Sequence, residues 1–231
     1  MSRQKKIYKD YLQFIQQNYP LSFLSKNSEN NSDTKLMYGF IIKIVFHLKL
    51  LLKLNQKTPE VCHYLKEIEQ LLFKVLLIIP INDKYLLDTL LRSIAESELR
   101  LILIASPNKR ITTEKLERAS FSSIKKYVRE DSYLFKRRKY FAGLYSTFST
   151  SSKSLHGPIY DITVITYLNE QIRTPIKYAH YKKKFKNILT INLDILQSEM
   201  TLSYSDYGIE ELNTISTLFS KSEQIKLNYF L

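Results

Sequence analysis

The chain has 231 residues, and 44% of them are hydrophobic, which is enough for a sizeable core in one large domain or two small ones. Only 4 glycines and 6 prolines occur, so the turn signals needed by a sandwich or barrel of many short strands are scarce. Lys and Arg number 35 against 22 Asp and Glu, and the net charge of +13 predicts a positive surface that suits a polyanionic partner. A biased composition explains the same excess without a partner.

The cysteine content and the N-terminus both indicate a cytoplasmic protein. Cys62 is the single cysteine, so the chain forms no internal disulfide, as is usual in a reducing compartment. The N-terminal segment MSRQKKIYKDYLQFIQQNY is charged and amphipathic and lacks the apolar centre of a signal peptide.

The most membrane-like stretch, Leu36 to Leu52, contains Lys43, His47 and Lys49. Each central lysine would cost about 2.5 to 3.5 kcal/mol on insertion into a bilayer. We therefore expect no membrane association and interpret the stretch as a buried helix with one wet stripe that includes Lys43 and His47.

Hydrophobic spacing predicts helices through most of the chain, with boundaries at prolines and at capping residues. Ser25 to Asp33 is polar and is predicted to be a mobile loop. Tyr160 to Asn169 is rich in β-branched residues, which favour a strand, but its context leads us to interpret it as a helix. The other predicted helices run from Gln4 to Tyr19, from about Asp33 to Leu54, from Pro59 (capped by Thr58) to Pro80, from Asn82 or Asp83 to Pro107, from Thr113 to Ala119, from Ser122 to Glu130, from Ser132 to at least Ser149, from Ile176 to Met200 and from Asp206 to Ser220.

These elements predict an all-α fold, a bundle of about seven to nine helices that ends in a basic C-terminal helix. We expect one helical domain over residues 1–231. Within it, residues 1–32 form an N-terminal helix and a mobile loop, and residues 108–131 form a polar cap or hinge.

Common cofactor and metal motifs do not occur in the sequence. There is no GxxxxGK[ST] or GxGxxG phosphate loop and no HExxH pair. His47, Cys62, His63, His156 and His180 are too dispersed to match the spacing of a zinc site. We predict no metal and no cofactor.

His156 is the first candidate for chemistry, because it lies between a predicted helix and a Gly-Pro break in SSKSLHGP. Its imidazole could deprotonate a 2'-hydroxyl or protonate a leaving oxygen in RNA cleavage, while a nearby arginine stabilises the phosphorane. The alternative is that His156 caps the end of its helix.

The second candidate is the pair Arg92 and Glu96, four residues apart on a helix that is otherwise largely apolar. Asp88, Arg92, Glu96 and Arg100 recur every four residues and so share one stripe of that helix. Glu96 could orient Arg92 towards a phosphate or towards His156. Alternatively, the two residues form a surface ion pair worth only about 0.3 to 0.5 kcal/mol.

A helix that reads LLRSIAESELRLIL, followed by a helix that ends FSTSSKSLHG, resembles HEPN-like bacterial helical domains over roughly residues 34–200. Those domains carry an arginine and a glutamate on one helix and an aromatic, serine, histidine and glycine pattern at the end of another. The corresponding positions here are Arg92, Glu96, Phe148 or Tyr145, Ser152, His156 and Gly157.

The resemblance implies an α-helical bundle, often dimeric, that acts on RNA in a bacterial defence or toxin system, in many members as a metal-independent ribonuclease. The nuclease members place an arginine a few residues before the histidine, and no arginine stands there before His156. Arg173 and His180 have a similar spacing, but Pro175 lies between them and interrupts a helix.

Basic residues in two clusters form the third candidate site, because interleaved tyrosines could stack on unpaired bases while the cations contact phosphates. The alternative is a pair of solvated helix faces. We expect RNA or another single-stranded nucleic acid as the partner, with a homodimer possible. A non-catalytic basic module that binds nucleic acid or an acidic protein is the rival function. The predicted contacts are Lys136, Arg137, Arg138, Lys139, Arg173, Lys177, Lys182, Lys183 and Lys184.

Overall fold

A computed structural model describes residues 3–26, 32–108, 111–155, 176–200 and 202–229. Within these ranges the chain forms twelve helices and no strand, so the predicted all-α class is confirmed. Eight helices have ten or more residues, and the other four have only four to six; of these four, the helix Thr113–Glu117 was predicted from the sequence. The helices are α1 (Arg3–Asn18), α2 (Phe23–Lys26), α3 (Ser32–Leu54), α4 (Pro59–Ile81), α5 (Lys84–Ala105), α6 (Thr113–Glu117), α7 (Phe121–Glu130), α8 (Ser132–Lys136), α9 (Arg138–Leu155), α10 (Tyr178–Ile191, continued by a π-helical turn Asn192–Leu196 and by Gln197–Glu199), α11 (Ile209–Leu218) and α12 (Lys221–Lys226).

Some predicted boundaries differ from the structure. The segment predicted as a loop between Ser25 and Asp33 overlaps the end of α2 and the start of α3, and residues 27–31 lie outside the described part of the chain. Tyr160 to Asn169, interpreted as a helix, also lies outside the described residues. Near the C-terminus, α12 follows α11 and was not predicted.

Helix α4 continues through Pro80, where the sequence predicted its end. A proline has no N–H, so the Leu76 carbonyl four residues earlier loses its helical partner. The Tyr11 hydroxyl of α1 donates to that carbonyl at 2.7 Å instead. Asn82 then ends the helix in the left-handed conformation, with φ of 62°. The lost hydrogen bond is thus replaced by a contact with another helix.

Five helices form a closed ring in which α3 packs on α4, α4 on α5, α5 on α9, α9 on α10, and α10 on α3. Outside the ring, α1 packs on α3 and α7 packs on α5. Buried apolar residues from Ile15 to Leu227 form one continuous cluster. Phe141 of α9 and Phe185 of α10 are among its largest fully buried side chains.

Helix α3 contains the stretch that looked most like a membrane segment, and among the described helices none has the length and hydropathy required to cross a bilayer. The prediction that one stripe of this helix, including Lys43 and His47, faces solvent is wrong, because both residues are buried. The Lys43 ammonium lies 2.7 Å from a carboxylate oxygen of Glu223, which replaces the water that the charge would otherwise need.

Two pairs of buried polar side chains lie at or beside the π-helical turn of α10. The Asn192 amide donates to Glu98 Oε1 at 2.7 Å, and His47 Nε2 donates to Gln197 Oε1 at 2.9 Å. Burial raises the pKa of Glu98 to about 8 and lowers the pKa of His47 to about 4. Both side chains are therefore uncharged near neutral pH.

Replacing Glu98 with Gln tests this assignment. The carboxyl titrates near 4.5 in the unfolded chain and near 8 in the folded protein, so its contribution to stability is lost as pH rises between these values. Glu98→Gln keeps the acceptor for Asn192 but has no proton to lose. We expect urea denaturation at pH 7 to show a gain of about 1 to 3 kcal/mol, which shrinks towards pH 4.5. Glu60→Gln is the control, and an equal effect of both substitutions would contradict the assignment.

Candidate nucleic-acid interface

Three of the four charged residues of the α5 stripe form polar contacts, and those of Asp88 and Arg100 reach other elements. Asp88 is buried, and its Oδ1 lies 3.4 Å from Lys184 Nζ and accepts from the Ser151 hydroxyl at 3.3 Å. Glu96 Oε1 is 2.6 Å from Arg100 Nη2, and Arg100 also donates to the backbone carbonyls of Leu116 and Ala119. These contacts attach α5 to α10, α9, α6 and the turn that precedes α7.

Arg92 does not pair with Glu96, so the role predicted for Glu96 as the residue that orients Arg92 is wrong. Glu96 is bound to Arg100, one turn further along α5. The Arg92 guanidinium instead lies over the Phe148 ring of α9, with 4.9 Å between its carbon and the ring centre. Arg92 forms no ion pair with any described residue, so its charge is available to a ligand.

His156 follows the last residue of α9 and lies outside the described residues, so its approach to Arg92 stays a prediction. Phe148 and Tyr145, the alternatives for the aromatic position of the resemblance, are both on α9. Phe148 is the one that contacts Arg92.

Phe148 also stacks face to face on Phe121 of α7, with ring centres 3.4 Å apart and planes 4° from parallel. Tyr145 meets Phe121 edge-on at 6.2 Å, and the Lys125 ammonium lies 5.0 Å from the Tyr145 ring centre. Cations over aromatic faces are attracted by the ring quadrupole. The result is a continuous layer of aromatic rings and cations across α5, α7 and α9. We call it the aromatic–basic surface and define it as Arg92, Phe121, Lys125, Arg129, Tyr145 and Phe148.

Helix α7 supplies one edge of this surface at helical spacing, because Phe121, Lys125 and Arg129 are each four residues apart. These three residues line a depression of about 310 Å³ together with Ser122 and Lys126, and none of the described residues that line it is acidic. Burial raises the pKa of Tyr145 to about 12, and the positive charge of Arg129 opposes that rise.

Phe121 was not recognised as a site residue from the sequence. The available signal was the spacing of Phe121, Lys125 and Arg129 in FSSIKKYVR. An aromatic residue followed by cations at four-residue intervals predicts a mixed aromatic and basic face on a helix. Its stacking on Phe148, 27 positions away by residue number, depends on tertiary packing.

The predicted contacts at Lys136 to Lys139 mostly bind aromatic rings of their own chain. Arg137 Nη1 lies 2.9 Å from an oxygen of Glu199, whose side chain is 1% exposed. The Arg137 charge is therefore already paired within the chain, and its contact with nucleic acid stays a prediction. Arg138 lies over Phe135 and Lys139 over Tyr140, and both remain exposed, as does Lys136.

The predicted contacts in the second basic cluster differ in exposure and pairing. Lys177 and Lys183 are exposed, Lys182 pairs with Asp33, and Arg173 lies outside the described residues. Lys184 is only 5% exposed, and its ammonium donates to Ser151 at 3.0 Å beside Asp88. The prediction that Lys184 contacts nucleic acid is wrong, because its charge is sealed in the bundle.

Compared with known proteins, the chain matches no protein-family model, and neither a curated protein nor a solved structure is significantly similar to it.

Replacing Lys184 with Met distinguishes a structural charge from a nucleic-acid contact. Lys184→Met leaves the Asp88 carboxylate buried without its partner, so we expect the free energy of unfolding to fall by about 3 to 5 kcal/mol. Asp88→Asn combined with Lys184→Met removes both charges and should recover much of that loss. Chemical denaturation measures both effects.

Oligonucleotide affinity supplies the second readout. The double variant should bind a single-stranded oligonucleotide as tightly as the unmodified protein. Weaker binding by a variant of unchanged stability would show that Lys184 does reach the ligand.

Proposed function

We propose that the chain binds single-stranded RNA through the aromatic–basic surface. The observation that carries this proposal is the stack of Arg92, Phe148 and Phe121 beside Lys125 and Arg129. Aromatic faces accept unpaired bases of any sequence, and flanking cations contact the phosphates. A surface of this composition fits a ligand in which unpaired bases alternate with phosphates.

The geometry favours a single strand over a duplex. In duplex RNA the base faces are stacked on one another, and proteins contact mainly the phosphates and 2'-hydroxyls. Three of the six residues of this surface are aromatic, and all three rings are partly accessible. A duplex would offer these rings few base faces on which to stack. The surface is therefore suited to unstacked bases, and its cations supply a sequence-tolerant affinity.

The net charge of +13 supports an anionic ligand but does not show where on the surface it binds. Several lysines are bound to acids of the same chain, such as Lys43 to Glu223 and Lys53 to Glu211. Lys125 and Arg129 form no ion pair with a described residue, so their charges remain available. This difference supports α7 as the site of phosphate contact.

Substitutions on α7 test the proposal by fluorescence anisotropy with a labelled oligouridine. Phe121→Leu keeps an apolar side chain but removes the stacking face, and we expect binding to weaken about tenfold. Lys125→Gln with Arg129→Gln should make the negative slope of log affinity against log salt less steep by about 1.4, since each phosphate contact on a single strand contributes about −0.7.

The matched control is Lys57→Gln with Lys74→Gln, which removes the same charge from exposed positions on another face. This control should leave the salt slope nearly unchanged. Equal effects of the two double variants would mean that only the total charge matters, and the proposed surface would then be wrong.

We further propose, from the HEPN-like resemblance, that the chain is an RNA-directed effector in bacterial defence or toxicity and that His156 takes part in RNA cleavage. In that reaction the 2'-oxygen bonds to the adjacent phosphorus and the 5'-oxygen leaves, with His156 accepting the first proton or supplying the second. The uncommitted guanidinium of Arg92 supports this role, because it can stabilise the extra negative charge on the phosphoryl oxygens.

His156→Ala tests cleavage separately from binding. We expect this variant to bind oligouridine normally and to lose RNA cleavage, measured by gel with a chelator present, while His180→Ala retains it. Binding without cleavage by the unmodified chain would favour the non-catalytic module. Cleavage that survives His156→Ala would remove this residue from the reaction.

A further inference from the structure

A second concave site lies on a different part of the ring, between α4, α5 and α6. This groove has a volume of about 330 Å³, and carboxylates from all three helices line it. They are Glu67 of α4, Glu96 of α5 and Glu117 of α6. An acidic groove is unexpected on a chain with a net charge of +13.

The carboxylates differ in what they already bind. Glu96 is paired with Arg100, which also lines the groove. Glu67 and Glu117 form no ion pair with any described residue. Tyr64 lines the groove beside both of them; burial raises its pKa, Arg100 opposes this rise, and the charges of Glu117 and Glu67 add to it. Two uncommitted negative charges therefore face one space.

Ser97 is an independent observation at the floor of this groove. The residue is 4% exposed and lines the groove, yet its hydroxyl forms no hydrogen bond with any described residue. Ser93, one turn earlier, donates to the Thr89 carbonyl at 3.2 Å, as serines in helices often do. The Ser97 hydroxyl has no such bond and can therefore accept a hydrogen bond from a ligand in the groove.

The ligand is better matched by an ammonium group than by a metal ion. Within the described ranges, no three His, Cys, Asp or Glu side chains are close enough together to hold a metal. Glu67 and Glu117 instead come from two different helices, which suits a ligand whose charges are distributed along a chain. An ammonium N–H can also donate to the Ser97 hydroxyl.

We propose that this groove binds a linear aliphatic polyamine, with ammonium groups at Glu67 and Glu117 and an N–H donated to Ser97. The remaining positive surface repels such a ligand at long range. At about 0.1 M salt, screening over about 10 Å leaves the local carboxylates to decide binding. The groove is separate from the aromatic–basic surface, so the failure of either proposal does not affect the other.

Isothermal titration of the complete chain with spermidine, without RNA and at about 0.1 M salt, tests the proposal. We expect saturable binding of one spermidine. Glu67→Gln with Glu117→Gln should weaken binding by about tenfold or more, corresponding to at least about 1.4 kcal/mol. Ser97→Ala should weaken it less, by roughly threefold, because a hydroxyl contributes about one hydrogen bond.

The matched control is Glu60→Gln with Glu210→Gln, which removes the same number of charges outside the groove. This control should bind spermidine as the unmodified chain does. Equal weakening by both double variants, no saturable binding, or equally tight binding of Mg²⁺ would overturn the proposal. Circular dichroism of each variant confirms that the fold is intact before titration.

Discussion

Helix α5 carries a charged residue at every fourth position although it is enclosed by α4, α9 and α7. A charge enclosed in this way must be paired, hydrogen-bonded or stacked, or its burial costs several kcal/mol. Asp88 meets this requirement through Lys184, Arg92 through Phe148, and Glu96 through Arg100. The partners of Asp88 and Arg92 also connect α5 to α10 and α9.

The same constraint positions the aromatic–basic surface. Ser151, which contacts Asp88, lies one turn from Phe148 on α9. Fixing that turn against α5 brings the Phe148 ring beneath Arg92, and its other contact is the Phe121 ring of α7. Further along α5, Arg100 binds the Ala119 carbonyl just before α7 begins. The contacts of Asp88 therefore position α9, and the hydrogen bond from Arg100 to the Ala119 carbonyl positions the start of α7. These two helices carry most of the proposed RNA contacts.

The sequence predicted the helices well where local signals decide them. Helix α4 begins at Pro59 as expected, because a proline fits the first helical turn. Its continuation through Pro80 could not be predicted locally, since the replacement hydrogen bond comes from Tyr11, 65 residues from the Leu76 carbonyl. Lys184 was predictable in part: Tyr181, Phe185 and Ile188 surround its position on one apolar face of α10. The charge stripe of α5 was visible in the sequence, but its partners were not.

The proposed RNA contact on α7 and α9 is tested most directly by photocrosslinking an oligonucleotide that contains 4-thiouridine and identifying the modified residues by mass spectrometry. Stacked bases place the thiocarbonyl against the rings beneath them, so the account predicts crosslinks at Phe121, Tyr145 or Phe148. Crosslinks confined to the exposed lysines of α10, with none on α7 or α9, would contradict it.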